Sequence, residues 1–390
     1  MPDPQRPHQG GGLLTLITEQ MLARVPGGTG RYSREVATAV GAAVPSGWQV
    51  RAVTAWHRDL RPARVPEVAG PYRLPAEARV LARLWERGLP PTVAGRVIHA
   101  LTPLAPPRLR RGQSLVVTVH DAVPYTHPET LTPRGAAWHR LMIERAAAIA
   151  GALVVPTNAV AAALAEAGVG GRIEVISEGA APSLKGPVPV AEVERVKASF
   201  GLPDRYALVV GTLEPRKGLD ILLDAMALGR DPMVPLVVVG QPGWGDADVE
   251  QEALRRGIAD RVLVLGRLPD EELTAVLGGA SVEVVPSRSE GFGLPLLEAM
   301  SRGIPVVHSD AAALVEVAGD AGICVPVGDV EALAAAISTV LTDPELAVRL
   351  STAGRLRAAD FSWDAVAEEL WALYLDVAAA DAVRQKGGGS

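Results

Sequence analysis

Ser287-Arg-Ser-Glu-Gly-Phe-Gly-Leu-Pro-Leu-Leu-Glu-Ala-Met-Ser-Arg-Gly-Ile-Pro305 lies between two short apolar runs, Ser281 to Val285 and Pro305-Val306-Val307. The first run reads as a buried strand and the second as the start of the next. Pro286 to Gly293 has the glycines of a loop. Pro295 suits the first position of a helix, where a missing N–H costs nothing. Gly303 is placed to end that helix in a left-handed cap. The unit is therefore strand, loop, short helix, strand. A helix start behind a glycine loop presents free N–H groups and the positive end of the peptide dipoles, which suits a phosphate. Two carboxylates stand in the block, Glu290 in the loop and Glu298 one turn into the helix, with seven residues between them. Beside a diphosphate they are suited to accepting hydrogen bonds from sugar hydroxyls, one set on each side of it. The spacing by itself also fits a solvated helix face.

Taken whole, with its Glu-Gly-Phe-Gly-Leu-Pro, the block resembles the E-x7-E motif of the retaining glycosyltransferases of family 4. The resemblance implies a GT-B fold, an α/β architecture of two doubly wound Rossmann-like domains facing across a cleft. It implies that Glu290 holds the donor sugar and Glu298 the ribose, with Gly291, Phe292, Gly293 and Leu294 around the donor.

Composition agrees with a large α/β chain. Its 390 residues are 48% hydrophobic, enough for two domains with full cores. No apolar run reaches the roughly 18 residues of a membrane span, and the N-terminal residues lack the basic-then-apolar order of a signal peptide. A cytoplasmic protein is expected. Cys324 is the single cysteine, so neither an internal disulfide nor a cysteine-built metal site is expected. Up to Lys185 there are 21 Lys and Arg against 13 Asp and Glu; beyond it, 17 against 31. The basic front half suits an anionic acceptor or a membrane surface, and equally suits Arg-rich solvated helix faces.

Before the central block, Leu13 to Ile17 reads as a first strand. Pro26-Gly27-Gly28-Thr29-Gly30-Arg31-Tyr32 reads as a glycine loop, with a helix over Ser33 to Ala43. The glycines let backbone approach a ligand closely, but their spacing is not the dinucleotide fingerprint, which argues against hydride transfer. Gln49 to Thr54, Val97 to Ala100 and Leu115 to Val119 read as further strands, and Arg58 to Pro91 yields no assignment. The strand Leu115 to Val119 runs into His120-Asp121. A His at the carboxyl end of a parallel strand points into the ligand crevice, or closes the strand by bonding a nearby carbonyl. A helix over about Arg134 to Ala150, the strand Ala152 to Val155, an N-cap at Thr157-Asn158 and the strand Ile173 to Ile176 complete this half. Ser177 to Pro187 makes a Gly/Pro-rich link.

In the second half Tyr206 to Val210 is a strand, Gly211-Thr212-Leu213-Glu214-Pro215-Arg216-Lys217-Gly218 its loop and Leu219 to Leu228 its helix. Arg216 and Lys217 thus stand at the carboxyl edge, where an anion would lie: Arg grips two oxygens at once, Lys supplies a compact charge. Strands follow at Leu236 to Val239, Val262 to Leu265, Val306 to Ser309 and Ile323 to Val325. The loops Gly240 to Gly245 and Gly266-Arg267-Leu268-Pro269 and a helix over Asp329 to Leu341 lie among them.

These segments extend the resemblance over roughly residues 13–380. It implies that Gly27 and Gly28 lie over donor and acceptor, that His120 touches the donor sugar, as in a mannosyltransferase-like branch, and that Arg216 and Lys217 bind the donor diphosphate beside Gly211 and Thr212. Arg267 and Leu268 would meet the nucleotide base through backbone. The expected organisation is a tail at 1–12, an acceptor-side domain at 13–187, a nucleotide-sugar domain at 188–363, a helix at 364–380 crossing back to the first domain, and a tail at 381–390. The expected activity is metal-independent, retaining transfer of a sugar, with GDP-mannose favoured over UDP- or dTDP-sugars and no further cofactor. The acceptor is a hydroxyl of a glycan, a glycolipid at the inner membrane face, or a small molecule; no nucleic acid is expected. A nucleotide-sugar epimerase and a non-catalytic partner subunit share the fold. The first needs catalytic acids that the sequence does not reveal, and the second tends to lose the charged residues that stand here.

Overall fold

The structure, a computed structural model, describes residues 11–184, 188–229, 234–243 and 248–387. The expected boundary at 187, most of the tail at 1–12 and residues 388–390 lie outside the described residues, as does the far end of the Gly240 loop; residues 381–387, expected as a tail, continue the C-terminal helix.

Two parallel sheets organise the chain. The first contains β1 (Gly12–Ile17), β2 (Trp48–Trp56), β3 (Ala69–Glu77), β4 (Val97–Ala100), β5 (Ser114–Thr118), β6 (Ala152–Val155) and β7 (Ile173–Val175). The second contains β8 (Ala207–Val210), β9 (Leu236–Val239), β10 (Val262–Gly266), β11 (Val282–Val285), β12 (Val306–Ser309) and β13 (Ile323–Val325). Their orders are β3-β2-β1-β4-β5-β6-β7 and β10-β9-β8-β11-β12-β13. Each order reverses once, between β1 and β4 and between β8 and β11. Such reversals open a crevice at the carboxyl ends of the strands, where ligands bind in open α/β sheets. The expected pair of doubly wound α/β domains is what the chain forms.

The central strands are covered on both faces and so carry unbroken apolar runs. Leu115, Val116 and Val117 are fully buried, as are Val282 and Val284. Helix Gly27–Ala42 and the C-terminal helix, Trp363–Gly387, share one face of the first sheet. There the Trp371 indole N–H donates to the carbonyl of Val40 at 3.0 Å, and the Tyr374 hydroxyl lies 2.6 Å from Nδ1 of buried His99. The chain therefore returns to its first domain after completing the second, along a helix longer than expected. The two crossings touch, because Gly179 packs so closely on Trp363 that a Cβ there would meet the Trp363 backbone N at 2.8 Å.

Two other expectations are corrected. The helix expected from Ser33 begins at Gly27, so the glycine cluster forms its first turn rather than a loop. The Gly30 N–H already bonds the Pro26 carbonyl at 2.9 Å. The unassigned Arg58 to Pro91 stretch holds edge strand β3 and helix Ala78–Glu86, whose buried residues are Leu81 and Trp85. No helix among the described residues is long and apolar enough to cross a membrane.

Candidate active site

At the β8/β11 reversal two loops stand side by side. After β8, Pro215–Lys217 forms a single tight turn ended by Gly218, whose left-handed φ of 68° only glycine adopts readily. A side chain there would also strike the Pro286 carbonyl of the neighbouring loop. This close approach delivers both cations to one carboxylate. Lys217 Nζ donates to Glu290 Oε1 at 2.6 Å and Arg216 Nη1 to Glu290 Oε2 at 3.1 Å. Ser287 Oγ adds a third bond to Oε1 at 2.7 Å, and Arg216 Nε reaches Glu214 at 3.1 Å.

Glu290 is buried, its side chain 7% exposed. Burial pushes its pKa up, but Lys217 and then Arg216 outweigh it and hold the carboxyl at about 2. Burial draws the Lys217 ammonium downward against the pull of Glu290. Arg216 moves up: burial opposes this, and Glu290, Asp121 and Glu214 overcome it. The Glu290 carboxylate is thus ionised at neutral pH, with the Arg216 guanidinium held charged beside it. A pocket bounded by Gly211, Thr212, Lys217, Ser287 and Glu290 lies over them. Three residues after Glu290, helix Leu294–Arg302 begins at Gly293 (φ 105°), with its first N–H groups free of helical partners. Of the two cations, Lys217 lines this pocket, while Arg216 and the helix start stand on the loops that flank it.

Glu298 is set differently. It lies on the same helix with its side chain 2% exposed, and its cation comes from the other domain: Arg31 Nη1 stands 2.5 Å from Oε1. Arg31 Nη2 also reaches Asp270 at 3.0 Å, and Asp270 accepts from Ser183 at 2.9 Å. Burial raises the Glu298 pKa, and Arg31 offsets it only in part.

The first domain contributes along the same cleft. A Cβ on Gly27 would lie 3.6 Å from Thr212 Oγ1, and one on Gly28 would lie 3.7 Å from Leu294 Cδ1. The glycine turn thus stands beside both loops of the second domain, at a distance a side chain would span. Gly291 leaves no room for a side chain beside the His120 carbonyl, and its own carbonyl accepts from Thr157 Oγ1 at 2.9 Å across the domains. His120 stands at this junction, but its ring nitrogens face protein. Nε2 lies 2.8 Å from the Leu101 carbonyl and Nδ1 3.6 Å from Glu178, with Tyr32 edge-on at 4.6 Å. Strand closure, one of the two readings of His120, is what its ring does. Phe292 turns into the core against Phe361, and Leu268 is buried, so these side chains face away from the cleft. Arg267 is exposed beyond edge strand β10.

Arg31, Ser287, Thr157 and Asp270 belong to this constellation without being read as site residues from the sequence, where Thr157 is marked only as an N-cap. Ser287 precedes Glu290 by three residues within the decisive block, a spacing that carried a usable signal. The others meet partners more than a hundred residues away, and no local pattern announces them. No cluster of His, Cys, Asp and Glu suited to a metal occurs among the described residues.

Two family models match the chain. The model for Glycosyltransferase Family 4 covers residues 26–184, and that for Glycosyl transferases group 1 covers residues 191–357. The chain is 42% identical over 163 residues to the O-antigen chain mannosyltransferase B of Escherichia coli, covering 41% of this chain and 42% of that protein. It is 39% identical over 178 residues to the MMP alpha-(1->4)-mannosyltransferase of Mycolicibacterium hassiacum, covering 44% and 43%. The chain spans about half the length of the curated relatives it matches. Among solved structures, sucrose-phosphate synthase from Thermosynechococcus elongatus superposes with a TM-score of 0.74 at 26% identity, covering 94% of this chain and 99% of that one. Anabaena HepE in complex with UDP-glucose superposes with a TM-score of 0.70 at 22% identity, covering 95% and 99%, a likeness of fold.

Proposed function

The chain belongs to family 4 of the glycosyltransferases, built on the GT-B fold, and from that premise we propose that it transfers a sugar from a nucleotide sugar to an acceptor hydroxyl with retention of anomeric configuration. The observation that carries the reading is the joint grip of Arg216 and Lys217 on Glu290 at the β8/β11 reversal. The donor diphosphate lies over the two cations and the N–H groups at Gly293 and Leu294. As the anomeric bond breaks, the leaving nucleotide gains charge, and these preset groups stabilise it. Two cations and a helix start supply what a metal would otherwise supply, so the reading includes none. Glu290 then accepts from hydroxyls of the donor sugar and Glu298 from the ribose. His120 would meet the sugar from the first domain.

GDP-mannose is the favoured donor, supported by the two mannosyltransferases above. The acceptor is a hydroxyl of a glycan, a glycolipid or a small molecule. For a lipid-linked acceptor the Arg-rich first half would rest on the inner membrane face.

Thermal unfolding against GDP, UDP, dTDP and ADP, each with and without magnesium, tests this. A ligand at 100 times its dissociation constant stabilises by about 2.7 kcal/mol, a shift of several degrees. A shift with GDP alone, indifferent to magnesium, is expected. A shift with UDP or dTDP would keep the chemistry and discard mannose, and no shift with any nucleotide would overturn the transferase reading.

A further inference from the structure

Arg31 crosses the cleft. It sits one turn into helix Gly27–Ala42 of the first domain, yet both its charged contacts, Glu298 at 2.5 Å and Asp270 at 3.0 Å, belong to the second. The guanidinium is held from two sides, because Asp270 is itself tied to Ser183. Arg31 bonds one oxygen of Glu298, Oε1. A carboxylate offers about four acceptor sites on its two oxygens, so this contact leaves acceptors for a ligand.

We propose that Arg31 is a positioning residue for the donor: supplied by the first domain, it turns and holds the Glu298 carboxylate so that its remaining acceptors receive the ribose hydroxyls of a nucleoside diphosphate bound to the second. The inference rests on the reading of Glu298 as the ribose-holding carboxylate. Its consequence is that the ribose subsite is complete only when the domains are closed, although every atom touching the ribose there belongs to the second domain.

The surroundings of Glu298 show why a carboxylate at this place requires a partner. Asp270 and Glu35 bear on it with like charge, and buried Glu283 on β11 is pushed upward by burial and by Glu298 itself. Among these groups the neutral form gains, and a protonated carboxyl donates one bond instead of accepting two. Arg31 is the cation that opposes this.

The test is calorimetric binding of GDP and UDP, each beside its 2′,3′-dideoxy form, to the full chain and to Arg31→Met, Arg31→Lys and Asp270→Asn. Methionine keeps the apolar stem, and a melting curve checks each fold. Wild type is expected to prefer the ribonucleotide by roughly tenfold, the worth of a hydrogen bond to a charged group. Arg31→Met loses that preference while its affinity for the dideoxy form stays within about twofold. Arg31→Lys recovers part of it, and Asp270→Asn weakens it to a lesser degree. If Arg31→Met lost both nucleotide forms equally, or if wild type failed to distinguish them, the proposal would be overturned while the transferase reading stood. If wild type bound no nucleotide, the transferase reading would fall first.

Discussion

Glu290 and Glu298 are the same residue type on one continuous segment, and the protein treats them in opposite ways. Glu290 receives Lys217, Arg216 and Ser287, all from loops of its own domain, and its carboxyl is held at about 2. Glu298 receives Arg31 from across the cleft, and its carboxyl is raised. One carboxylate is therefore preset whatever the domains do; the other depends on closure. A motif that looks symmetrical in sequence is divided between a rigid half and a conditional half.

The largest effect that could break this contrast lies in the rigid half. Lys217→Ala is expected to lower turnover roughly a hundred- to a thousandfold, the worth of one preset donor at a developing charge. Its melting temperature falls by only a few degrees, because Arg216 and Ser287 still hold Glu290. Wild-type turnover in that variant, measured with the nucleotide sugar found by the melting panel, would remove the site from its assigned place.

A middle-sized effect is the protonation of the two carboxyls, followed by carbon NMR of labelled glutamate. Glu290 is expected to stay ionised down to about pH 2, and Glu298 to titrate above the usual 4.5. The sign for stability follows. Glu290, whose value is depressed in the folded state, contributes stability above pH 4.5 that is lost as pH falls toward about 2. Glu298, whose value is raised, works the other way, its contribution fading as pH rises through its folded value. Coincident titrations would erase the distinction.

The smallest effect concerns the seam. Thr157 caps helix Asn158–Glu166 by accepting from Val160 N at 3.2 Å and donates to the Gly291 carbonyl at 2.9 Å. Thr157→Val should cost about 1–2 kcal/mol, a cap together with a buried acceptor left short. Because Gly291 adjoins Glu290, the donor KM should rise a few-fold with kcat nearly unchanged. A changed kcat with an unchanged KM would count against coupling through Gly291.

Much of this molecule is legible in its sequence because its central strands are buried on both faces and leave apolar runs such as Leu115 to Val119. The loops after them carry glycines and charges in a readable order, and Arg216, Lys217 and Glu290 do converge. Other features resist reading for physical reasons. Strand β3 is an exposed edge interrupted by Pro71 and Pro75, so neither alternation nor an apolar run marks it. The helix behind it buries only Leu81 and Trp85, a spacing of four that in retrospect is its one helical trace. Gly27 to Gly30 reads as a loop because glycine disfavours helices; the left-handed φ of Gly27 (58°) and the Pro26 ring packed on Gly30 select glycine there instead. The Arg31–Glu298 pair joins residues 267 positions apart, and no local spacing encodes such a distance.

The return of the C-terminal helix to the first sheet has a consequence for engineering. In topology the second domain is an insertion, spliced into the first between two touching crossings at Gly179 and Trp363. The first domain is discontinuous, so cutting the chain between the halves would strip it of Trp371 and Tyr374. The insertion, in contrast, begins and ends at neighbouring points. A chimera that exchanges donor specificity should therefore transplant the segment between those crossings as a cassette, leaving both ends of the host chain in place.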